Sequence, residues 1–201
     1  MNVERPGADR LLEMTGALAE LLTDTVDGGA SVGFLAPLDR AAAVAWWPER
    51  CEAVAAGRLA VWTAWEEPGR VLGTVSLALP DKPNSAHRAE LVKLMVHRAA
   101  RGKGLARRLL TVAEEAAAGQ GITLLHLDTE TGSPAEHLYR TSGWTEAGAI
   151  PDYAADPGGV LRPTTIYYKR LPVTPRQGRG EPRDRGPGGG ALESGRAGTE
   201  R

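Results

Sequence analysis

The chain has very few of the residues that would place it in several large protein classes. It contains a single cysteine, Cys51, among 201 residues, which excludes an internal disulfide framework. No apolar run approaches the length of a membrane span, and the first residues lack the basic region and hydrophobic segment of a secretory signal. The formal net charge is only -1, which argues against a nucleic-acid-binding domain that works by bulk electrostatics. A soluble cytoplasmic protein is the simplest interpretation.

The histidines give little support for a metal site. They show no ligand spacing with cysteines or carboxylates, and they are His87, His97, His126 and His137. We therefore expect no metal.

The composition supports one folded domain followed by a tail. Hydrophobic residues make up 42% of the sequence, enough for one sizeable core in a chain of this length. Residues 172–201 are dominated by Gly, Pro, Arg and Glu and contain almost nothing that could enter a core. We predict a single domain over residues 1–171 and a disordered tail over residues 172–201.

Residues 90–106 form the stretch around which the rest of the chain is organised. Glu90, Val92, Leu94 and Val96 alternate with the residues between them, which predicts a strand with these four side chains on one side. From Gly104 onward the period becomes helical, with apolar residues at Leu105, Leu109, Val112, Ala113 and Ala116. The pattern predicts a strand, a glycine-rich turn and an amphipathic helix.

The turn between them, residues 101–104, has the chemistry of an anion site. Its glycines let an anion approach the main chain, and the helix start offers unpaired N–H groups and a positive dipole end. A Walker loop needs Ser or Thr after the lysine, where Gly104 stands, and a dinucleotide fingerprint needs a small residue where Arg107 stands. A phosphate or pyrophosphate site of another kind is the hypothesis that remains.

The other predicted elements support this central unit. We predict an amphipathic helix over residues 8–25 and a second over residues 39–56, with Asp39 as N-cap and a kink or two abutting helices at Pro48. Residues 59–65 and 71–79 read as an antiparallel hairpin. Further strands are predicted at 122–128, beside the central strand and parallel to it, and at 143–149 and 165–171, the last two separated by a loop over residues 151–163.

Two motifs resemble the GNAT superfamily of N-acetyltransferases. Arg101, Gly104 and Ala106 fit its pyrophosphate-loop pattern Arg-x-x-Gly-x-Ala. Residues 133–144 are similar to its A-x-x-L-Y-x-x-x-G-F segment, with matches at Ala135, Leu138, Tyr139, Gly143 and Trp144. The resemblance spans roughly residues 89–171. It implies an α/β (α+β) GNAT fold, with a mixed central sheet of six to seven strands, a splayed parallel pair and about four flanking helices.

The resemblance also implies acetyl-CoA as co-substrate and assigns residues to it. The free edge of the central strand would pair with pantetheine through Leu94, Met95 and Val96, one of whose N–H groups would polarise the thioester carbonyl. The pyrophosphate would lie on Arg101, Gly102, Lys103, Gly104, Leu105 and Ala106. Where many members have an asparagine that contacts pantetheine, this chain has Gly132, which puts that contact in doubt. Trp144 stands where phenylalanine is commonest.

Acetyl transfer to an amine needs a base, because alkyl amines with a pKa of about 10.4 arrive protonated at neutral pH. Glu90 resembles the strand carboxylate that many members use as this base; alternatively, it pairs with Arg88 or Lys93 at the sheet surface. Asp128 is the second candidate. Tyr139 occupies the family position of the tyrosine that reprotonates the CoA thiolate; a purely structural tyrosine is the alternative.

The acceptor is the least determined part. Residues 84–90, 127–136 and 150–154 resemble a subgroup that includes the tabtoxin-resistance acetyltransferase, which acylates an amino-acid-like toxin. Carboxylates such as Asp128 and Asp152 favour a cationic amine, and His87 and Arg88 would hold an acceptor carboxylate or form a surface salt bridge. The alternatives are an aminoglycoside, polyamine or protein N-terminal acetyltransferase, or a non-catalytic acyl-CoA-binding regulatory module. Homodimers are common in the family, so a homodimer is an expectation by analogy.

Overall fold

The computed structural model describes residues 2–66 and 69–172. These residues form seven strands and five α-helices, in the order β1 (Asn2–Glu4), α1 (Ala8–Glu13), α2 (Thr15–Asp27), α3 (Arg40–Ala55), β2 (Leu59–Glu66), β3 (Arg70–Ala78), β4 (Arg88–Val96), α4 (Leu105–Gly119), β5 (Leu124–Glu130), α5 (Pro134–Thr141), β6 (Thr145–Ala155) and β7 (Leu161–Arg170). Short 3₁₀ helices cover Pro83–Ser85 and Arg98–Ala100. Apart from residue 172, the predicted tail lies outside the described residues.

The strands form one mixed sheet with the order β1-β2-β3-β4-β5-β7-β6. The pairing of β4 with β5 is parallel, and the other neighbours are antiparallel. The parallel ladder consists of Arg88 with Leu124, Ala89 with Leu125 and Glu90 with His126. Beyond Glu90 the two strands continue without pairing to each other. The predicted mixed sheet with a splayed parallel pair is therefore confirmed.

Two apolar layers cover the sheet. One buried cluster joins α4 and α5 to the sheet through Leu109, Leu110 and Tyr139. The other joins α1, α2 and α3 to the opposite side, with Leu18 and Trp47 among its fully buried side chains. The sheet thus separates an α4–α5 layer from an α1–α3 layer.

A β-bulge interrupts the strict alternation of side chains that was predicted for β4. Val92 pairs with Ser76 and Met95 with Thr74, so two β4 residues, Lys93 and Leu94, lie opposite one residue of β3. Lys93 has a φ of +53°, and its carbonyl accepts a hydrogen bond from Thr74 Oγ1 at 3.0 Å.

The extra residue changes which side chains share a face. Leu94 and Val96 pack with Ala89 and Leu91 in the α4–α5 layer. Met95 is buried in the α1–α3 layer. The prediction that Leu94 and Val96 share the face of Glu90 was therefore wrong, since a strict period of two does not survive a bulge.

Some predicted boundaries were also wrong. The first helix is two helices that meet at Met14. Of the two outcomes predicted at Pro48, two abutting helices are excluded, because α3 is one helix with Pro48 inside it. Strands β6 and β7 extend into the predicted loop of residues 151–163 and leave only residues 156–160 between them. Prolines are tolerated there because Pro151 lies on edge strand β6, and Pro151 and Pro163 both fall at the irregularity between Ile150 and Ala154.

Candidate active site

The free side of β4 begins where β5 diverges. On its other side β4 pairs with β3 as far as Val96. Toward β5, the ladder ends at Glu90. The structure thus places Leu94, Met95 and Val96 along a strand edge without a neighbouring strand, the arrangement that an extended ligand with amide groups can join.

The glycine-rich turn leads directly from β4 into α4. Gly102 and Gly104 have φ values of +75° and +76°, a region that favours glycine. Gly104 is the N-cap of α4, and no side chain caps the helix. The first N–H groups of α4, including those of Leu105 and Ala106, are therefore available to an anion. The Leu105 side chain is buried in the core, so this residue can offer only its main chain.

The basic side chains of the turn hold the loop itself. Arg101 Nε donates to the carbonyl oxygen of Val96 at 3.0 Å, and Lys103 Nζ donates to the carbonyl oxygen of Ala99 at 3.1 Å. Arg107 donates to the carbonyl and hydroxyl oxygens of Thr141 and so ties α4 to α5.

Asp24 anchors this loop to α2. Its carboxylate accepts hydrogen bonds from Arg98 N at 2.9 Å and Arg98 Nε at 2.8 Å. His97 Nε2 lies 3.6 Å from the same carboxylate. Burial of Asp24 acts to raise its pKa, but the hydrogen bonds from Arg98 outweigh burial and lower the pKa below its ordinary value. The segment before α4 is therefore fixed by a charged group that stays ionised at neutral pH.

Polar residues gather on the side of β4 and β5 that faces away from the α4–α5 layer. Arg88, Glu90, His126 and Asp128 lie there, whereas Leu125 and Leu127, which alternate with the last two, are buried in the α4–α5 layer. Glu90 is half-buried and Asp128 is exposed. A half-buried carboxylate and a solvent-exposed carboxylate therefore occur together at the splay.

His126 is a site residue that the sequence reasoning missed. It lies opposite Glu90 in the parallel ladder, and its Nε2 accepts a hydrogen bond from Arg88 Nη1 at 2.8 Å. Burial lowers the pKa of His126; the charge of Arg88 adds to this shift, while those of Glu90 and Asp128 oppose it. A neutral imidazole with Nε2 as acceptor fits this environment. The alternation of His126 and Asp128 on one strand was a signal that could have indicated it.

Glu90 does not form the ion pair with Arg88 or Lys93 that was the alternative to a catalytic role. Within residues 2–66 and 69–172, its carboxylate has no hydrogen bond and no ion pair within 4.0 Å. Arg88 is bound to His126 instead. The carboxylate of Glu90 is thus free to meet an acceptor.

Tyr139 lies in the layer on the other side of the sheet. Its side chain is 5% exposed, and its ring lies 5.7 Å from that of Trp144 and 6.4 Å from that of Tyr167, between centroids. Burial, and secondarily the charge of Asp128, raise the pKa of Tyr139 far above its ordinary value. In the part of the chain that the structure describes, its hydroxyl has no hydrogen-bond partner. Its phenol therefore stays protonated at neutral pH.

Two other predicted substrate residues lie apart from this group. His87 is exposed at the start of β4, beyond the paired segment, where its carbonyl accepts hydrogen bonds from the N–H groups of Thr123 and Leu124. Asp152 is exposed on β6 with a φ of +52°. The structure brings Arg88 and Asp128 together with Glu90, but not His87 or Asp152.

A basic and aromatic group lies next to the carboxylates. Lys93 Nζ is 5.8 Å from the centroid of the Trp46 ring, and the Arg50 guanidinium carbon is 4.3 Å from it. Phe34 packs edge-on against Trp46 at 5.6 Å. A Cβ on Gly33 would lie 3.7 Å from Lys93 Nζ. Lys93 is therefore enclosed between the loop before α3 and the face of an aromatic ring.

Two other residues of α3, Trp47 and Cys51, are part of the core. Trp47 and Cys51 are 1% and 6% exposed in the α1–α3 layer. The loop before α3 is instead joined to the β6–β7 loop, through a hydrogen bond from Ala36 N to the carbonyl oxygen of Pro157 at 2.8 Å. This contact links two loops that flank the polar face.

Two kinds of site find no support among the residues that the structure describes. No group of three or more His, Cys, Asp or Glu side chains there could hold a metal ion. No helix there is long and apolar enough to span a membrane.

The model of the acetyltransferase (GNAT) family matches residues 30–144, more than half of the 201 residues. The chain belongs to this family.

Solved structures share its fold. A ribosomal-protein-alanine N-acetyltransferase from Brucella melitensis is 22% identical with a TM-score of 0.69, covering 85% of this chain and 100% of that one. A GNAT superfamily phosphinothricin acetyltransferase from Sinorhizobium meliloti, in complex with acetyl-CoA, is 17% identical with a TM-score of 0.70, covering 85% and 88%. A GCN5-related N-acetyltransferase from Kribbella flavida is 21% identical with a TM-score of 0.66, covering 85% and 97%.

Proposed function

We propose that the protein is an acetyl-CoA-dependent N-acetyltransferase that acetylates the primary amine of a small, amino-acid-like acceptor by direct attack in a ternary complex. The family is one of acetyltransferases, and a structural relative was crystallised with acetyl-CoA. The observation that carries the proposal is the arrangement at the splay. Glu90 and Asp128 lie on the side of the sheet that faces away from the α4–α5 layer, Tyr139 belongs to that layer, and the charge of Asp128 acts on the Tyr139 hydroxyl.

The thioester would lie in the gap between β4 and β5. The N–H groups of the free β4 edge, from Leu94 to Val96, hold the pantetheine arm and polarise the thioester carbonyl. A contact of this oxyanion type is typically worth about 10²- to 10³-fold in rate. The α4 start, with Gly102 and Gly104, receives the pyrophosphate.

Glu90 is the proposed base. Its carboxylate takes a proton from the acceptor ammonium, directly or through water, and the neutral amine attacks the carbonyl carbon. Asp128, which is exposed beside it, is the second candidate for this role. As the carbon–sulfur bond breaks, the nitrogen of the former amine releases its extra proton to solvent. The Tyr139 hydroxyl gives its proton to the thiolate and later regains one from solvent.

The surroundings of the gap favour a small acceptor. The Ala36–Pro157 hydrogen bond joins the two loops beside the polar face, which narrows the approach for a folded protein terminus. Carboxylates at the gap suit a cationic amine, as in amino acids and related toxins. The tabtoxin-resistance subgroup and the assembly into a homodimer stay predictions.

The proposal is tested by measuring free thiol released from acetyl-CoA in the presence of amino acids, amino-acid-like toxins, polyamines and aminoglycosides. Glu90→Gln and Asp128→Asn are compared with the wild type. We expect turnover with amino-acid-like acceptors and a loss of about 10²- to 10⁴-fold in Glu90→Gln. Turnover confined to polyamines or aminoglycosides would contradict the acceptor class. Tight acetyl-CoA binding without any transfer would favour the regulatory module.

A further inference from the structure

We infer that Lys93, supported by Arg50 and Trp46, forms a carboxylate-binding subsite that makes the enzyme selective for acceptors bearing a free carboxylate next to the reacting amine. This inference rests on the proposed function. On this view, the position of Lys93 at the β4 bulge determines which acceptors the enzyme uses.

The backbone at the bulge determines where the lysine goes. Because Lys93 adopts a φ of +53°, its side chain leaves the regular alternation and reaches the Trp46 ring. Gly33 has no side chain, and a Cβ there would lie only 3.7 Å from the Lys93 ammonium nitrogen. The loop before α3 therefore covers the ammonium group closely while leaving it room.

The Lys93 ammonium lacks an anionic partner. Within residues 2–66 and 69–172 it has no ion pair within 4.0 Å and no hydrogen bond from its side chain. Burial lowers its pKa; the charges of Asp128 and Glu90 oppose this shift and that of Arg50 adds to it. A half-buried cation without a close partner is unfavourable unless an anion joins it.

Arg50 strengthens the positive end of the site. Its guanidinium group stacks on the Trp46 ring, donates to the Trp46 carbonyl oxygen at 3.3 Å and pairs with the exposed Glu49 at 2.8 Å. Its charge still acts on Lys93. The Trp46 ring thus attracts both cations, but their mutual repulsion disfavours the charged form of Lys93 and strengthens its attraction for an anion.

The two ends of the site have opposite charges. Glu90 and Asp128 lie at the splay, and Lys93 and Arg50 lie toward α3. An acceptor with a cationic amine and a carboxylate a few bonds away matches this arrangement: its amine meets the base while its carboxylate meets Lys93. Polyamines and aminoglycosides, which carry only positive charge, would bring another cation against Lys93.

The test compares α-amino acids with their primary amides as acceptors, which keeps the amine and the side chain but removes the negative charge. Steady-state thiol release is measured for the wild type, Lys93→Met, Lys93→Arg and Lys82→Met. Lys82 is an exposed lysine of a surface loop and controls for the loss of one positive charge. Thermal unfolding of every variant is recorded beside the kinetics.

We expect the wild type to prefer amino acids over their amides. In Lys93→Met the kcat/KM for amino acids should fall by about 10- to 100-fold, as for loss of a hydrogen bond to a charged group. Most of this loss should appear in KM, and the values for amides should change little. Lys93→Arg should retain much of the preference, and Lys82→Met all of it.

Three results would overturn the inference. Equal kcat/KM of the wild type for amides and amino acids would show that the enzyme does not recognise the carboxylate, and would leave the proposed acetyl transfer intact. An equal loss for both acceptor series in Lys93→Met would show that the lysine acts on the base instead. Transfer to neither series, with acetyl-CoA still bound, would count against the proposed function and the subsite together.

Discussion

Replacing Tyr139 by phenylalanine removes the hydroxyl group that the proposed mechanism needs and keeps most of the packing of the side chain. The Tyr139 ring packs beside Trp144 and Tyr167, and phenylalanine preserves that packing. The hydroxyl has no hydrogen-bond partner among the residues that the structure describes, so its loss leaves no protein group unsatisfied. We expect the free energy of unfolding to change by less than about 1 kcal/mol.

Turnover should change far more than stability. A general acid contributes about 10²- to 10⁴-fold to rate, which corresponds to about 3–5 kcal/mol in the activation free energy. Tyr139→Phe should therefore lower kcat by this factor, with little effect on the dissociation constant of acetyl-CoA. Thiol release under saturating substrates measures the first quantity, and a calorimetric titration measures the second.

Tyr167→Phe is the matched control because Tyr167 belongs to the same buried cluster. Its hydroxyl donates to Glu136 Oε1 at 3.4 Å, so its removal should destabilise the fold by about 1 kcal/mol. For a domain of this size, that lowers Tm by about 2–4 °C. Turnover should stay unchanged. Equal kcat in the wild type and Tyr139→Phe would refute the proposed acid role.

Three further outcomes are expected. Trp144→Phe removes the indole donor to Glu114 Oε1 at 2.8 Å and should cost about 1–3 kcal/mol in urea unfolding; an unchanged midpoint would contradict this. Asp24→Asn weakens the contact with the half-exposed Arg98 and should cost about 1 kcal/mol at neutral pH. Because the pKa of Asp24 is lowered in the fold, this difference should begin to shrink as the pH falls through about 4, the pKa of an unfolded aspartate, and should vanish only below the lowered pKa of the folded state. A difference that persists in strong acid would be evidence against the ion pair. Because burial raises the pKa of Tyr139, Tyr139→Phe should give the same phenolate absorbance as the wild type up to about pH 11; a smaller signal in the variant would show that this tyrosine ionises.

Much of the fold could be predicted because local and global signals agree. The change of period at Gly104 predicted where α4 begins, and Asp39 caps α3 through hydrogen bonds from the N–H groups of Ala41 and Ala42. The hairpin of β2 and β3 followed from its β-rich runs. Such features depend on a few residues that are close together in the sequence, so the sequence alone indicates them.

The parts that failed depend on pairing between distant segments. The bulge at Lys93 is set by the ladder with β3, and nothing in the alternation of residues 90–96 indicates it. Strands β6 and β7 extend past Pro151 and Pro163 because both prolines fall at the irregularity in the pairing of these strands, which the sequence does not locate.

Only part of the candidate site could be predicted from the sequence. The motifs pointed to Glu90 and Tyr139, and their roles stay proposals. The pairing of His126 with Glu90 became visible only once β5 lay beside β4, and the surroundings of Lys93 only once the loop before α3 lay against Trp46.

The bulge also bears on how this strand can change during evolution. Upstream of Lys93, the strand presents Glu90 to the acceptor face; downstream, it leads to the glycine-rich turn. Loss of a single codon at Lys93 or Leu94 would shorten the strand without turning it over: the bulge would become a regular ladder, Val92 and Met95 would keep Ser76 and Thr74 as partners, and Glu90 would stay on its face. Homologous chains with one residue fewer between this carboxylate and the glycine-rich turn can therefore keep the carboxylate on the same face, and their alignment gap belongs at Lys93 or Leu94.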